Sequence, residues 1–327
     1  MIPVTILQEV EKMTGKPIWE SFDLIAGTST GGLIACALTI PVGLGVKKNK
    51  YSLEQILEIY TKRGKEIFPP RDNWFSQKIN AINDLSNPKY SDKGVQKVFS
   101  EVLGDAKIND CLTHLLITSY DLNNNVPLIF KSRSTKKHNE QNVLMYHICR
   151  ATSAAPTYLP AYEFEYPNDD ENPHRLCIDG GVYINNPSLG ALAEFSKYHH
   201  EYIPGTDPNT EIDYNNVHVL SVGTGTYSGQ ITAAQAKSKG QLFWAQNISD
   251  IMMRGVNKAT DYQMREIMYD DNYLRLTMSI PDEKYSAMDN SSAETLNYII
   301  NQTKLQVTEN QEQMNKLSKW LEVAGLK

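Results

Sequence analysis

Asp23-Leu24-Ile25-Ala26-Gly27-Thr28-Ser29-Thr30-Gly31-Gly32-Leu33-Ile34-Ala35-Cys36-Ala37-Leu38 reads as a strand, a tight turn and a helix in succession. Phe22 to Ala26 is a short apolar run bounded by glycine, which suits a buried strand, and Gly31 to Ile40 continues as a buried helix. Between them residues 27–31 spell G-T-S-T-G, a G-x-S-x-G pattern. The pattern alone says little, since ordinary glycine and serine frequencies give roughly 0.1 matches by chance in a chain this long. Its place between strand and helix says more, because that is the setting a nucleophile elbow requires. Small residues at Gly27 and Gly31 permit a strained turn that lifts the Ser29 hydroxyl clear of the backbone. The helix start then points free N–H groups, that of Thr30 above all, at developing negative charge. A plain glycine turn capped by serine is the competing reading.

Outward from this stretch, Val4, Leu7, Val10 and Met13 fall near helical spacing within Ile2 to Met13, closed by Gly15 and Pro17. Ser52 with Gln55 forms a capping-box pattern before a helix that reaches about Lys65. Asp92 to Leu103 and Met145 to Ala151 read as helices. His114 to Ser119 and Pro127 to Phe130 read as paired strands across the turn Asn123-Asn124-Asn125. Leu176 to Ile178 and Val217 to Val222 are further strands, each followed by glycines. Ser291 with Glu294 is expected to cap a long C-terminal helical region ending near Leu321. Strands alternating with helices predict an α/β fold around a mainly parallel sheet. No internal repeat or low-complexity linker divides the chain, so one domain is expected over residues 1–327, with 288–327 as its helical extension.

The chain has 327 residues, 41% of them hydrophobic and 21% charged, as in ordinary globular proteins. A formal net charge of −6 gives no general attraction to nucleic acid, so no nucleic-acid partner is expected. Cys36, Cys111, Cys149 and Cys177 are scattered without a C-x-x-C pair and read as reduced, buried thiols. No N-terminal segment combines basic residues, an apolar run and a small-residue cleavage site. The most apolar stretch, Leu33 to Val46, is interrupted by Pro41 and too short to span a bilayer. A cytoplasmic location is expected, with export by a non-classical route compatible with the same features.

A serine nucleophile needs a base within hydrogen-bond reach. The order Ser29, Asp179, His218 copies that of α/β-hydrolases, but those enzymes place several strands before the nucleophile and only 28 residues precede Ser29. His218 also lies among Val217, Val219 and Leu220, where a structural histidine fits better. His199 and His200 fall in a polar stretch and read as surface. Asp179 is the stronger candidate: it follows Leu176-Cys177-Ile178, and the end of an apolar strand partly desolvates a carboxylate and raises its pKa. Gly180 and Gly181 let the backbone pass close to another element, although a lone D-G-G also reads as a turn.

Taken together, these residues resemble the patatin-like phospholipase family. G-T-S-T-G-G matches its nucleophile motif and D-G-G at 179–181 its D-G-[GA] motif. Ala151-Thr152-Ser153-Ala154-Ala155-Pro156, Asn185-Asn186-Pro187 and Leu220-Ser221-Val222-Gly223-Thr224-Gly225-Thr226 match further segments, and the similarity runs from about residue 2 to at least 276. The resemblance implies a three-layer α/β/α fold and a serine–aspartate dyad, with Ser29 as nucleophile and Asp179 as proton acceptor. It also implies no metal or other cofactor, a phospholipid or other polar lipid as substrate, and transient contact with a membrane surface. Residues 223–225 are then a structural turn.

The chain departs from the family pattern at its start. Family members open with a strand and a glycine-rich D-G-G-G-x-[RK]-G loop that supplies oxyanion donors, whereas Met1-Ile2-Pro3-Val4 stands where the following helix should begin. Either the start is truncated or misassigned, or the loop is truly missing; the 327 residues as they stand are expected to be severely impaired as an esterase, since one oxyanion donor is worth about 10²–10³ in rate. Two alternatives stand beside the dyad: a Ser–His–Asp esterase using His218, and a non-catalytic binding or storage protein. Weaker features include Ile67-Phe68-Pro69-Pro70 with Trp74-Phe75 as an interfacial lid or core packing. Lys131, Arg133, Lys136 and Lys137 read as a headgroup patch or a solvated loop, and Asp169-Asp170-Glu171 as a surface insertion.

Overall fold

The computed structural model describes residues 1–69, 88–133, 142–167, 169, 173–203, 205–227, 229 and 231–327. Helix α1 (Ile2–Thr14) buries Ile2, Val4, Ile6, Leu7 and Val10 and ends where Gly15, at φ 67°, caps the Glu11 carbonyl. A single turn, α2 (Ile18–Ser21), leads into β1 (Leu24–Thr28), and Ser29 alone separates β1 from α3 (Thr30–Thr39). Helix α4 (Leu53–Ile67) starts at the predicted capping box: the Gln55 amide donates to Ser52 Oγ at 3.2 Å, and the Ser52 amide to Gln55 Oε1 at 2.8 Å. Helix α5 (Lys93–Leu103) buries Val95, Val98, Phe99, Val102 and Leu103, one apolar stripe at helical spacing. Strands β2 (His114–Asp121) and β3 (Val126–Lys131) form the predicted hairpin. Its turn is held by Asp121, which accepts from the Asn123 amide at 3.0 Å and from Asn124 Nδ2 at 2.7 Å.

Helix α6 (Met145–Thr152) precedes β4 (Tyr162–Glu165) and β5 (His174–Asp179), then the short α7 (Gly181–Ile184) and α8 (Ser188–Tyr202). Strands β6 (Val219–Val222) and β7 (Thr226–Tyr227) are followed by α9 (Ala233–Ser238) and the 27-residue α10 (Gln241–Ile267). Strands β8 (Tyr273–Leu276) and β9 (Ser279–Ile280) lead to α11 (Ala293–Thr303) and α12 (Gln311–Val323).

The main sheet has the order β1-β2-β5-β4, with β3 also on β2. β1 and β2 are parallel, as are β6 with β8 and β7 with β9, while β2–β3, β2–β5 and β4–β5 are antiparallel. Neighbouring side chains of β2 identify the layers, because they alternate across the sheet. Ser119 Oγ donates to the Ala151 carbonyl of α6, whereas Thr118 Oγ1 shares a 2.8 Å hydrogen bond with Thr28 Oγ1, which donates to the Ile184 carbonyl of α7. Helices therefore cover both faces, in the expected α/β/α arrangement. On the α6 side, Leu33, Val98, Phe99, Leu115, Ile117, Ile148 and Cys177 share one core. A second core joins α1, α4, Leu276 and the C-terminal Leu317, Trp320 and Leu321. All four cysteines are buried.

The C-terminal region differs from expectation in two respects. Ser291 is not the cap, because its hydroxyl donates to the Phe68 carbonyl at 2.7 Å. Ser292 caps α11 instead, accepting from the Thr295 amide at 3.3 Å. The helix is also not continuous: a π-helical turn, Lys304–Thr308, ends the first piece, and Asn310 caps α12 through the Glu312 and Gln313 amides. Among the described residues no helix is long and apolar enough to cross a membrane.

Candidate active site

Strand register brings Ser29 and Asp179 together. β3 occupies one edge of β2 over Leu116 to Asp121, so β1 and β5 share the other edge. β1 runs parallel to β2 and ends with Thr28 opposite Thr118; β5 runs antiparallel and ends with Asp179 opposite Ser119. The two strands thus point their C-terminal ends at each other across adjacent residues of one neighbour. Whatever follows β1 must meet whatever ends β5.

Ser29 sits at φ 57° and ψ −129°, a strained backbone for a residue with a side chain. Gly27 makes the turn possible, since a Cβ there would lie 2.4 Å from the Gly31 carbonyl oxygen. The Ser29 amide donates to Thr152 Oγ1 at 2.8 Å, and the same hydroxyl donates to the Thr118 carbonyl at 2.6 Å. Thr152 therefore ties the turn to β2. Thr30 and Gly31 open α3, so their N–H groups have no intrahelical acceptor and sit beside the serine.

Asp179 is 4% exposed. Its amide donates to the Ala154 carbonyl at 3.0 Å, and its Oδ1 accepts from the Gly181 amide at 2.7 Å. Burial pushes the carboxyl pKa up to about 6, while hydrogen bonding from the Ser29 hydroxyl and from the Gly181 amide pulls the other way. A carboxylate in this condition is a stronger base than one in water and is still ionised at neutral pH. Gly180 allows the approach: a Cβ there would fall 2.4 Å from Thr118 Oγ1.

Both side chains line a cavity of about 290 Å³. Leu7, Ile34, Leu38, Val222 and Met253 give it apolar walls, and Asn185, Asn186, Asn257 and Arg275 a polar portion. Gly223 and Thr224, just after β6, border it as well. An ester carrying an acyl chain fits such a lining, with apolar wall for the chain and the Ser29 hydroxyl within it.

His218 is elsewhere. It meets Trp320 edge-on with ring centroids 6.3 Å apart, its buried Nδ1 has no partner among the described residues, and burial lowers its pKa. It lines a different cavity of about 320 Å³, bounded by Leu24 and Ala26 of β1 on one side and by Leu220 and Val222 of β6 on the other. No described histidine lines the Ser29 cavity. Phe68 packs edge-on against Tyr90 at 5.2 Å and Ile67 joins the first core, which is the packing alternative for that segment. Pro70, Trp74 and Phe75 lie outside the described residues, as do Lys136, Lys137, Asp170 and Glu171. Lys131 and Arg133 form ion pairs with Glu194, and Asp169 pairs with Arg175. The motif match at 151–156 carried no roles for its residues, yet Thr152 holds the Ser29 amide and Ala154 the Asp179 amide. Arg275 and Asn257 went unmarked, because nothing local distinguishes a cavity-lining arginine in a short strand from a surface one.

The family model described as Patatin-like phospholipase matches residues 6–192. Patatin-like protein 2 of Arabidopsis thaliana is 30% identical over 320 residues, covering 91% of this chain and 77% of that protein. Patatin-like protein 2 of Oryza sativa subsp. japonica is 33% identical over 256 residues, and the match spans 74% of this chain and 62% of the rice protein. A Solanum tuberosum protein named Probable inactive patatin-3-Kuras 1 is 30% identical over 294 residues, covering 84% of this chain and 74% of its own length.

Proposed function

Because this chain belongs to the patatin-like phospholipase family, a family of lipid acyl hydrolases, we propose that it cleaves acyl esters of phospholipids, lysophospholipids or related polar lipids through Ser29 and Asp179. Asp179 takes the proton from the Ser29 hydroxyl as Oγ attacks the acyl carbonyl carbon. The tetrahedral oxyanion lies at the start of α3, where the Thr30 N–H, joined by that of Gly31, donates to it. As the intermediate collapses, the protonated Asp179 gives its proton to the leaving alcohol oxygen, and an acyl group remains on Ser29. Water then attacks this ester with Asp179 as base, and the fatty acid leaves with the serine regenerated.

The observation that carries this reading is the end-to-end placement of β1 and β5 on one edge of β2. It is supported by the strained elbow at Ser29 and by a buried carboxyl whose pKa near 6 suits a base at neutral pH. The substrate is a lipid met transiently at a membrane surface, and residues 288–327 belong to the same domain, as the burial of Leu317, Trp320 and Leu321 favours. A fluorophosphonate probe, which reacts only with an activated serine, tests the proposal directly. Labelling should map to Ser29 and disappear in Ser29→Ala, with hydrolysis of a nitrophenyl ester lost in parallel. A folded wild-type protein that the probe leaves unlabelled would be a non-catalytic member, and the proposal would fall.

A further inference from the structure

Arg275 differs from every other described arginine in its partners. Arg63, Arg133, Arg150, Arg175, Arg254 and Arg265 each have a carboxylate within ion-pair distance. The Arg275 guanidinium is held by neutral groups alone: Nη1 donates to Ser221 Oγ at 2.6 Å and Nη2 to Asn257 Oδ1 at 2.8 Å. The pairing of β6 with β8, which sets Ser221 opposite Arg275, fixes its place. Among the described residues, Arg275 and Asp179 are the charged side chains that line the Ser29 cavity. Two neutral acceptors orient the fork without cancelling its charge, and its remaining N–H groups are available to an anion.

A second donor stands beside it. Asn186 is 4% exposed and lines the same cavity, and its Oδ1 is occupied by the Ser188 amide at 3.1 Å and the Ser188 hydroxyl at 2.6 Å. Its Nδ2 is buried and has no acceptor among the described residues. Ser221 Oγ joins the two groups, being 3.5 Å from Asn186 Oδ1 and bonded to Arg275. An uncompensated guanidinium and an unsatisfied amide, joined through Ser221 and both in the lining of one cavity, define a place for an acceptor-only, negatively charged group.

Helix α10 passes both the reacting centre and Arg275. The point where a Cβ on Gly181 would stand lies 3.1 Å from Asp179 Oδ1 and 3.4 Å from Met253 Sδ. Asn257, which holds Arg275, follows Met253 by one helical turn, about 5–6 Å along the helix surface. In a glycerophospholipid only the glycerol carbons stand between the acyl ester and the phosphate, so both groups would enter the one cavity that Ser29 and Arg275 line. We propose that Arg275, with Asn186 beside it, binds the phosphate of the substrate headgroup while Ser29 faces the ester. This deepens the lipid hydrolase reading and rests on it, naming the side chains that recognise the phosphate.

A short-chain diether phosphatidylcholine has no acyl ester and reads this subsite without turnover; the matching diether glycerol lacks the phosphate. Calorimetric titration of wild type and Arg275→Gln with both should show about 10–100-fold weaker binding of the phosphate-bearing analogue in the variant. Binding of the neutral analogue should be unchanged, and Arg275→Lys should recover part of the loss. Equal loss for both analogues would mean a structural arginine, and no loss would mean no headgroup contact; either overturns the proposal. If Arg275→Gln abolishes binding of inorganic phosphate but not of the diether phospholipid, the site takes free phosphate and the headgroup assignment fails. Wild-type hydrolysis of a nitrophenyl ester, measured alongside, reports on the catalytic reading separately.

Discussion

Two cavities lie against β1, one of about 290 Å³ and one of about 320 Å³. The first contains Ser29, Asp179 and Arg275; the second contains His218, Ser221 and Trp320. Polar groups are present in both, so polarity is not what separates them. The difference is where the backbone delivers its titratable group. Ser29 and Asp179 stand at strand ends that face each other, and their amides are held by Thr152 and Ala154. His218 stands just before β6, at the N-terminal end of that strand and against an indole, with no described hydroxyl or carboxylate bonded to its ring. The facing C-terminal ends of β1 and β5 present their side chains to a reactant, whereas the residue leading into β6 is packed.

The sharpest way to break this contrast is to remove the base on each side. Asp179→Asn should lower nitrophenyl ester turnover by more than about 10³-fold, as loss of a unit shared with the nucleophile does, while His218→Ala should stay within about twofold of wild type. Comparable losses in the two variants would erase the distinction.

Stability as a function of pH gives the next effect. The folded pKa of Asp179, about 6, is raised above its ordinary value of 3.8, so between those values the folded protein holds a proton that the unfolded chain has released. Its contribution therefore falls as pH rises through that window and stays lost above it, by about 3 kcal/mol in all. Asp179→Asn carries no such penalty. Its stability relative to wild type should climb between about pH 4 and pH 6 and then level off, which urea melts at several pH values would read; a pH-independent difference would contradict the buried carboxylate.

The smallest effect concerns the support of the turn. Thr152→Val keeps the shape but leaves the Ser29 amide and the Thr118 carbonyl without their shared hydroxyl. A stability loss of about 2 kcal/mol is expected, with turnover reduced by about tenfold or more as the serine loses its placement. Full activity in this variant would show that the elbow stands without the bond to α6.

What was legible in the sequence was what is local. The strand–turn–helix at Ser29, the Ser52–Gln55 cap and the Asn123–Asn125 turn each depend on residues a few positions apart, and each formed as read. Helix α10 was not legible, because apolar residues occupy both of its faces: Met253 borders the cavity and Met264 is buried, while Trp244, Ile248, Ile251 and Met252 are exposed. That distribution blurs the helical period. The hydroxyl of Thr152 serves backbone groups 123 and 34 residues away, and no window of sequence contains that relation. Arg275 gains its meaning from the register of β6 with β8, and Ser291 lost its expected capping role to a carbonyl 223 residues away.

The backbone angles of Ser29 have an evolutionary consequence. Holding a side-chain-bearing residue at φ 57° and ψ −129° costs of the order of 1–3 kcal/mol, and glycine alone adopts such angles without strain. A mutation to glycine there would silence the chemistry and relax the fold in the same step. Drift at this codon therefore runs downhill toward stable, inert descendants. Serine persists at position 29 only where selection acts on its oxygen.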